Sequence, residues 1–232
     1  MTLHIGIAAC SAEGTALCYR TICVEGSAIL GGHAHPEVSM HTPSLADYNA
    51  CLERGDMDGV ADLMLASAEK LAAIGADFLI CPVNTIHQAF DQVAPRSPLP
   101  WLHIAEVVAA EAAARGYQRL ALTGTRSLVE SEVYPKALSS AHRIACERPD
   151  EDACVEIDRI IMDELVMSTF RPGSIDYIRE TIGRQKDAGC DGAILGCTEI
   201  PLVIDDGNSP LPTLDSTRLL ARAALKRTID GE

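Results

Sequence analysis

Gly189-Cys190-Asp191-Gly192-Ala193-Ile194-Leu195-Gly196-Cys197-Thr198-Glu199 is the stretch on which the reading of this chain turns. It closes a helical pattern with a glycine, runs through a short apolar strand, and breaks into polar residues eight positions after that glycine. Gly75-Ala76-Asp77-Phe78-Leu79-Ile80-Cys81-Pro82-Val83-Asn84-Thr85 repeats the pattern, with Gly-x-Asp at its start and the polar break at the same offset. Two equivalent polar strand ends predict two facing halves around one cleft. The copies part at one position of chemical weight: where the second has Cys197, the first has Val83.

Working outward, short apolar runs alternate with helical patterns. Strands are expected at Leu3 to Ala9, Phe78 to Cys81, Arg119 to Thr123 and Ala193 to Leu195. Helices are expected from near Glu13 to Thr15 onward, at Gly59 to Ile74, Leu102 to Arg115, Glu156 to Phe170 and Ser174 to Ala188. Gly75 and Gly116 stop two of them. Continuous apolar strands between helices indicate parallel sheets covered on both faces. The expected fold is α/β: two similar lobes, each a short parallel sheet flanked by helices, related by a pseudo-twofold axis with the active site between them. The Pro-rich segment Pro95 to Pro100 and the Asp205 to Pro212 linker predict the lobe boundaries. The first lobe is then 1–95 plus 209–232, and the second is 96–208.

At 232 residues, 47% of them apolar, the chain can bury a substantial core. A net charge of −14 argues against a nucleic-acid or anionic-membrane surface, though a cleft in an acidic protein can still be locally positive. No apolar run approaches the length needed to span a bilayer. The nine cysteines are odd in number and irregular in spacing, and they form no paired CxxC pattern. That argues against a disulfide scaffold and a zinc site alike. Met1-Thr2-Leu3-His4-Ile5 enters a strand without a basic leader, so a reduced, cytoplasmic setting is expected.

The predicted carboxyl ends of the strands carry Ala9-Cys10-Ser11, Val83-Asn84-Thr85, Thr123-Gly124-Thr125 and Gly196-Cys197-Thr198-Glu199. These small, polar or nucleophilic residues suit a compact site for a small hydrogen-bonding substrate. Val83-Asn84-Thr85-Ile86-His87 and Gly196-Cys197-Thr198-Glu199 resemble the two signature segments of the aspartate/glutamate racemase family, usually Cys-Asn-Thr-x-His and Gly-Cys-Thr-Glu. The resemblance extends to Ser11, Glu13, Thr15, Tyr19 and Arg20, to Gly124-Thr125-Arg126, and to Asp163-Glu164-Leu165. It covers nearly the whole chain and is closest to the bacterial branch that includes L-aspartate/glutamate-specific racemases.

The resemblance implies a homodimer and an enzyme with no cofactor, needing neither pyridoxal phosphate nor metal. Its substrate is a small carboxylate, and two cysteines exchange the α-proton on opposite faces of the carbon. An α-proton beside a carboxylate is very weakly acidic, so the base must be activated and the developing charge met by preorganised donors. Cys197, at a strand end and followed by Thr198-Glu199, matches a setting in which N–H groups stabilise a thiolate. Val83 departs from the pattern, because valine neither gives nor takes a proton. Single-cysteine members of the family include arylmalonate decarboxylases, in which loss of CO2 generates the carbanion.

Cys197 is therefore read as catalytic, with Val83 marking the position of the missing partner. Cys10, at the end of the first strand, is a candidate substitute donor; packing is the alternative. Cys81 reads as a core thiol. Asn84, Thr85 and Thr198 stand open between capping helices and binding the substrate carboxylate. Glu199 reads as a local electrostatic group, His87 as structural, and Ser11 and Thr125 as substrate donors. Arg54 is either a partner for a distal carboxylate or a solvated surface charge.

Three functions remain, in order. The first is a racemase acting on aspartate, glutamate or a similar amino acid. The second is a one-thiol decarboxylase or isomerase of a small carboxylic acid. The third is a catalytically impaired ligand-binding homologue.

Overall fold

The computed structural model describes residues 2–231. They divide into two compact units: one runs up to Ile104 and resumes at Thr217, and the other is Ala105–Ser216.

The first unit holds β1 (Ile5–Ala8), α1 (Ala12–Leu30), β2 (Val38–His41), α2 (Leu45–Glu53), α3 (Met57–Ala73), β3 (Phe78–Ile80), α4 (Phe90–Val93) and β4 (Trp101–Leu102). The second begins with α5 (Ile104–Ala114), β5 (Arg119–Thr123), α6 (Arg126–Glu130), α7 (Val133–His142) and β6 (Ala145–Glu147). It continues through α8 (Glu151–Ile160), α9 (Pro172–Asp187), β7 (Gly192–Leu195) and β8 (Thr213–Asp215). The last helix, α10 (Ser216–Asp230), returns to the first unit.

Each unit has one four-stranded, all-parallel sheet, ordered β2-β1-β3-β4 in the first and β6-β5-β7-β8 in the second. The expected α/β class with two similar parallel sheets is what forms. The orders match element for element, which makes the sequence repeat a repeat of topology. β1, β3 and β7 are buried along their whole length, as sheets covered on both faces require.

The Gly-x-Asp opening of both repeats has a physical reason. Gly75 (φ +92°) and Gly189 (φ +94°) occupy left-handed conformations that side chains resist. At each, the following amide bonds back across the helix end, Ala76 to Leu71 O and Cys190 to Gln185 O, both at 3.1 Å. The aspartate then clamps the neighbouring strand. Asp77 Oδ2 accepts from His4 N at 2.7 Å, and Asp191 Oδ2 accepts from Gln118 N at 2.7 Å. These bonds hold β3 beside β1 and β7 beside β5 in equivalent register.

Two expectations change. The Pro-rich segment and the Asp205 to Pro212 linker do not end their units, because each leads into an edge strand of the preceding sheet. Leu79 N bonds Pro100 O and Ala193 N bonds Pro212 O, both at 2.9 Å, so proline opens an edge strand without disturbing the ladder. The divisions therefore fall at 104 and 216 rather than at 95 and 208.

The helix expected at Glu156 to Phe170 instead starts at Glu151, capped by Asp150 Oδ1 on Ala153 N (2.8 Å). It widens into a π-turn over Ile161–Leu165 and stops there, with Ser168 left-handed. Buried Glu164 in that turn accepts from Ser174 Oγ (2.7 Å) and Arg159 Nη1 (2.9 Å) and pairs with Arg171 (3.5 Å). These groups hold its carboxyl below the usual carboxylate range and tie α8 to the start of α9.

Candidate functional site

In the second unit the site is built on the end of β7. Gly196 N bonds Thr123 O at 2.8 Å, bringing the chain hard against the end of β5. A Cβ on Gly196 would sit 2.6 Å from Thr123 O, and one on Gly124 would sit 2.9 Å from Leu128 Cδ2. Glycine at both positions lets the two strand ends touch, and Cys197 follows at once over the edge of the sheet.

Cys197 is 7% exposed and packs with Leu195, Ile200 and Ile204. Its Sγ donates to Glu199 Oε2 at 2.9 Å, and Thr198 Oγ1 donates to the same oxygen at 2.6 Å. The Glu199 and Ile200 amides, at the start of the 3₁₀ turn Ile200–Leu202, direct their N–H groups at the sulfur. That is the thiolate-stabilising arrangement expected from sequence, and it is outweighed. Burial first, and then the Glu199 carboxylate, push the Cys197 thiol well above its ordinary range. Cys197 at rest is a protonated thiol hydrogen-bonded to a carboxylate, a proton donor with an acceptor already in place.

The Thr198 hydroxyl is bonded to the Glu199 carboxylate. Thr125 caps α6, its Oγ1 accepting from Leu128 N at 3.4 Å. Thr123 Oγ1 bonds Ile194 O (2.8 Å), which ties the two central strands together below the site.

In the first unit the corresponding strand end carries Val83, Asn84 and Thr85. Val83 is half-buried and packs against a cluster containing Cys10, Tyr48, Cys51 and Cys81. Asn84 is buried at the start of the 3₁₀ turn Thr85–Ala89, but its side chain does not cap that turn. Ser11 occupies the N-cap of α1, also without a side-chain cap, and its carbonyl accepts from the Thr15 hydroxyl. Cys81 is fully buried, and burial pushes its thiol up, as befits a core residue. Cys10 is 8% exposed in the same cluster.

His87 Nε2 bonds Cys81 O at 3.0 Å, and its ring stacks on Phe90 and meets His103 edge-on. Burial, reinforced by His103, drives its pKa down to about 3, so the ring is neutral and structural. Arg54 lies exposed at the end of α2, 3.6 Å from Asp56 and 3.8 Å from Cys51 Sγ.

The sequence reading passed over Tyr48, which is 1% exposed among three thiols. It belongs to no motif, and its place among the thiols comes from the packing of α2. Among the described residues no group of His, Cys, Asp and Glu is arranged to hold a metal, and no helix is long and apolar enough to cross a membrane.

Comparison with known proteins finds relatives of the same fold. The chain is 24% identical over 173 residues to the broad specificity amino-acid racemase RacX of Bacillus subtilis, covering 73% of each chain. A Yersinia pestis protein described as an Asp/Glu racemase superposes with a TM-score of 0.87 at 28% identity, over 98% of this chain and 99% of the other. An aspartate racemase homologue from Pyrococcus horikoshii gives 0.83 at 25% identity, over 99% and 100%. Residues 7–224 match the family model described as Asp/Glu/hydantoin racemase, and the chain, an isomerase of the racemase type, belongs to that family.

Proposed function

We propose that the protein is a cofactor-independent racemase of a small dicarboxylic amino acid, aspartate or glutamate, and that Cys197 moves the proton at Cα. The observation that carries this is the Cys197 Sγ–Glu199 Oε2 hydrogen bond of 2.9 Å in a buried strand end. In one direction Glu199 takes the thiol proton and the thiolate removes the α-proton. In the other, the thiol returns a proton to the carbanion. Glu199 acts through the sulfur, which makes it a positioning residue, and Thr198 keeps its carboxylate aimed. Ser11, Asn84, Thr85 and Thr125 supply the polar groups for the substrate carboxylates, with Arg54 as the cationic candidate.

Chiral chromatography of aspartate, glutamate and other amino acids incubated with the full chain tests this. Interconversion of the enantiomers of an acidic amino acid is expected, and no interconversion of any amino acid overturns the reading.

Val83 favours a second reading in which one thiol suffices: decarboxylation of a malonate-like acid, with Cys197 protonating the carbanion. Release of CO2 from substituted malonates without amino-acid racemisation would move the assignment there. We also propose a cytoplasmic homodimer. α1 leaves Tyr19, Val24, Ile29 and Leu30 exposed, and none of the cysteines is in a disulfide among the described residues. Sedimentation at micromolar concentration tests the oligomeric state.

A further inference from the structure

The second unit carries a pocket that contains none of the residues assigned to the chemistry at Cys197. It has a volume of about 140 Å³ and is lined by the end of β6, the start of α8 and the last turns of α9. Every residue lining it belongs to Ala105–Ser216. β5 separates β6 from β7 in the sheet, which sets the pocket apart from the strand end that carries Cys197. Its volume is below the roughly 300 Å³ of pockets that hold drug-sized molecules, so its occupant has only a few heavy atoms.

The lining carries both signs of charge, Glu147 and Asp150 against Arg148 and Arg184. Gln185 and Thr181 add polar side chains that are buried, at 5% and 1% exposure. Gln185 Nε2 donates to Glu147 O at 3.0 Å. That carbonyl only accepts, which fixes the orientation of the amide and leaves Oε1 buried without a donor. A buried acceptor in that state is costly, and native structures hold few of them. The Thr181 hydroxyl does not serve it, because it donates to Tyr177 O (3.0 Å) and accepts from Arg184 Nη2 (2.9 Å). Glu147 Oε2 takes Arg119 Nη1 (3.0 Å) and Asp150 Oδ1 takes Ala153 N (2.8 Å), so each carboxylate keeps its second oxygen.

The two guanidiniums are also held in place by part of their donors. Arg148 Nη2 bonds Ser131 O (2.8 Å) and Glu132 Oε1 (2.9 Å), and Arg184, bonded to Thr181, lies over the Tyr177 ring at 5.8 Å. A guanidinium has five N–H donors, so both keep donors for a carboxylate. A simple anion would meet Glu147 and Asp150, and a simple cation would meet Arg148 and Arg184. Only a solute with both charges answers the whole lining.

We propose that this pocket binds a small zwitterionic α-amino acid. Its ammonium donates to Gln185 Oε1 and to the Glu147 and Asp150 carboxylates, and its carboxylate accepts from Arg148 and Arg184. The site does not rest on the racemase reading, since no step at Cys197 enters the argument. Gln185 O also accepts from Cys190 N (3.1 Å) at the turn into β7, so the Cys190 amide reports on the same residue.

NMR of the full, 15N-labelled chain titrated with glycine tests the proposal, because glycine carries both charges and has no enantiomer to invert. The Gln185 side-chain amide and the Cys190 backbone amide should shift saturably at millimolar glycine. Acetate and methylammonium, with one charge each, should bind at least about tenfold more weakly, as expected when charge-assisted hydrogen bonds are lost. Arg184→Gln should weaken glycine binding by a similar factor, and so should Arg148→Gln on a different element, so a folding failure of one variant leaves the other to decide. Cys197→Ser should leave the glycine response unchanged. The absence of a saturable shift at Gln185, an equal response to acetate or methylammonium alone, or binding that survives both arginine changes overturns the proposal. Loss of the response in Cys197→Ser also overturns it, by moving the binding to the other site.

Discussion

Cys197 and Glu199 form a pair whose two members have separable effects. Removing the sulfur removes the group that touches carbon, so Cys197→Ala is expected to abolish α-proton exchange, read as loss of deuterium incorporation. Glu199→Gln keeps the shape but weakens the acceptor of the thiol proton, so kcat should fall by roughly 100-fold or more. The carboxylate also pushes the Cys197 thiol up. Cys197 in Glu199→Gln should therefore react faster with iodoacetamide at neutral pH, even as turnover drops. A purely structural glutamate would slow both. Val83→Cys in the wild-type background should raise the rate of inversion, because it adds a thiol beside the cluster that holds Cys10. Chiral chromatography reads that change directly.

At the scale of elements, the two Gly-x-Asp turns set the register of the central strands and through it the position of the site. Asp191 accepts from both Gln118 N (2.7 Å) and Arg119 N (3.2 Å). Asp191→Ala should cost about 0.5–1.5 kcal/mol, the net worth of exposed hydrogen bonds whose donors water can take over, measured by urea denaturation. Gly189→Ala forces a side chain to φ +94° and should destabilise by about 1 kcal/mol or more.

The same elements show what could be read from the chain. β1, β5, β7 and α3 were legible because central strands are continuously apolar and α3 buries a regular stripe through Val60, Met64, Ala68 and Leu71. β2, β6 and β4 were not, since edge strands of four, three and two residues carry too little pattern. The lobe boundaries were misplaced by edge strands that open after proline, a feature that looks like a linker from sequence. The place of Cys197, Thr198 and Glu199 at a strand end was legible from their spacing, but the protonated state of the thiol depends on burial, which only the folded chain supplies. The hydrogen bonds from His41 to Ser67 and Lys70 join β2 to α3, and no local motif announces them.

For the whole molecule, the buried titratable groups predict a stability maximum bounded on both sides. His87 has its pKa driven down to about 3 in the folded protein, so its contribution is present above pH 6.5 and is lost as pH falls from there toward 3. The buried thiols run the other way. Burial raises Cys190 to about 11 and Cys146 to about 12, so their contribution is full below the ordinary thiol value near 9 and is lost as pH rises beyond it. Thermal unfolding followed from pH 4 to 10 should show Tm falling at both ends, and His87→Phe should flatten the acid limb.

The reaction is the property of the molecule on which the rest depends, and one measurement addresses it directly. The wild-type chain and Cys197→Ser are incubated with L-aspartate and L-glutamate in D2O, and the α-hydrogen signal is followed by NMR. The account predicts loss of that signal with the wild-type protein and its persistence with Cys197→Ser. Equal loss in both proteins, or none in either, would contradict it.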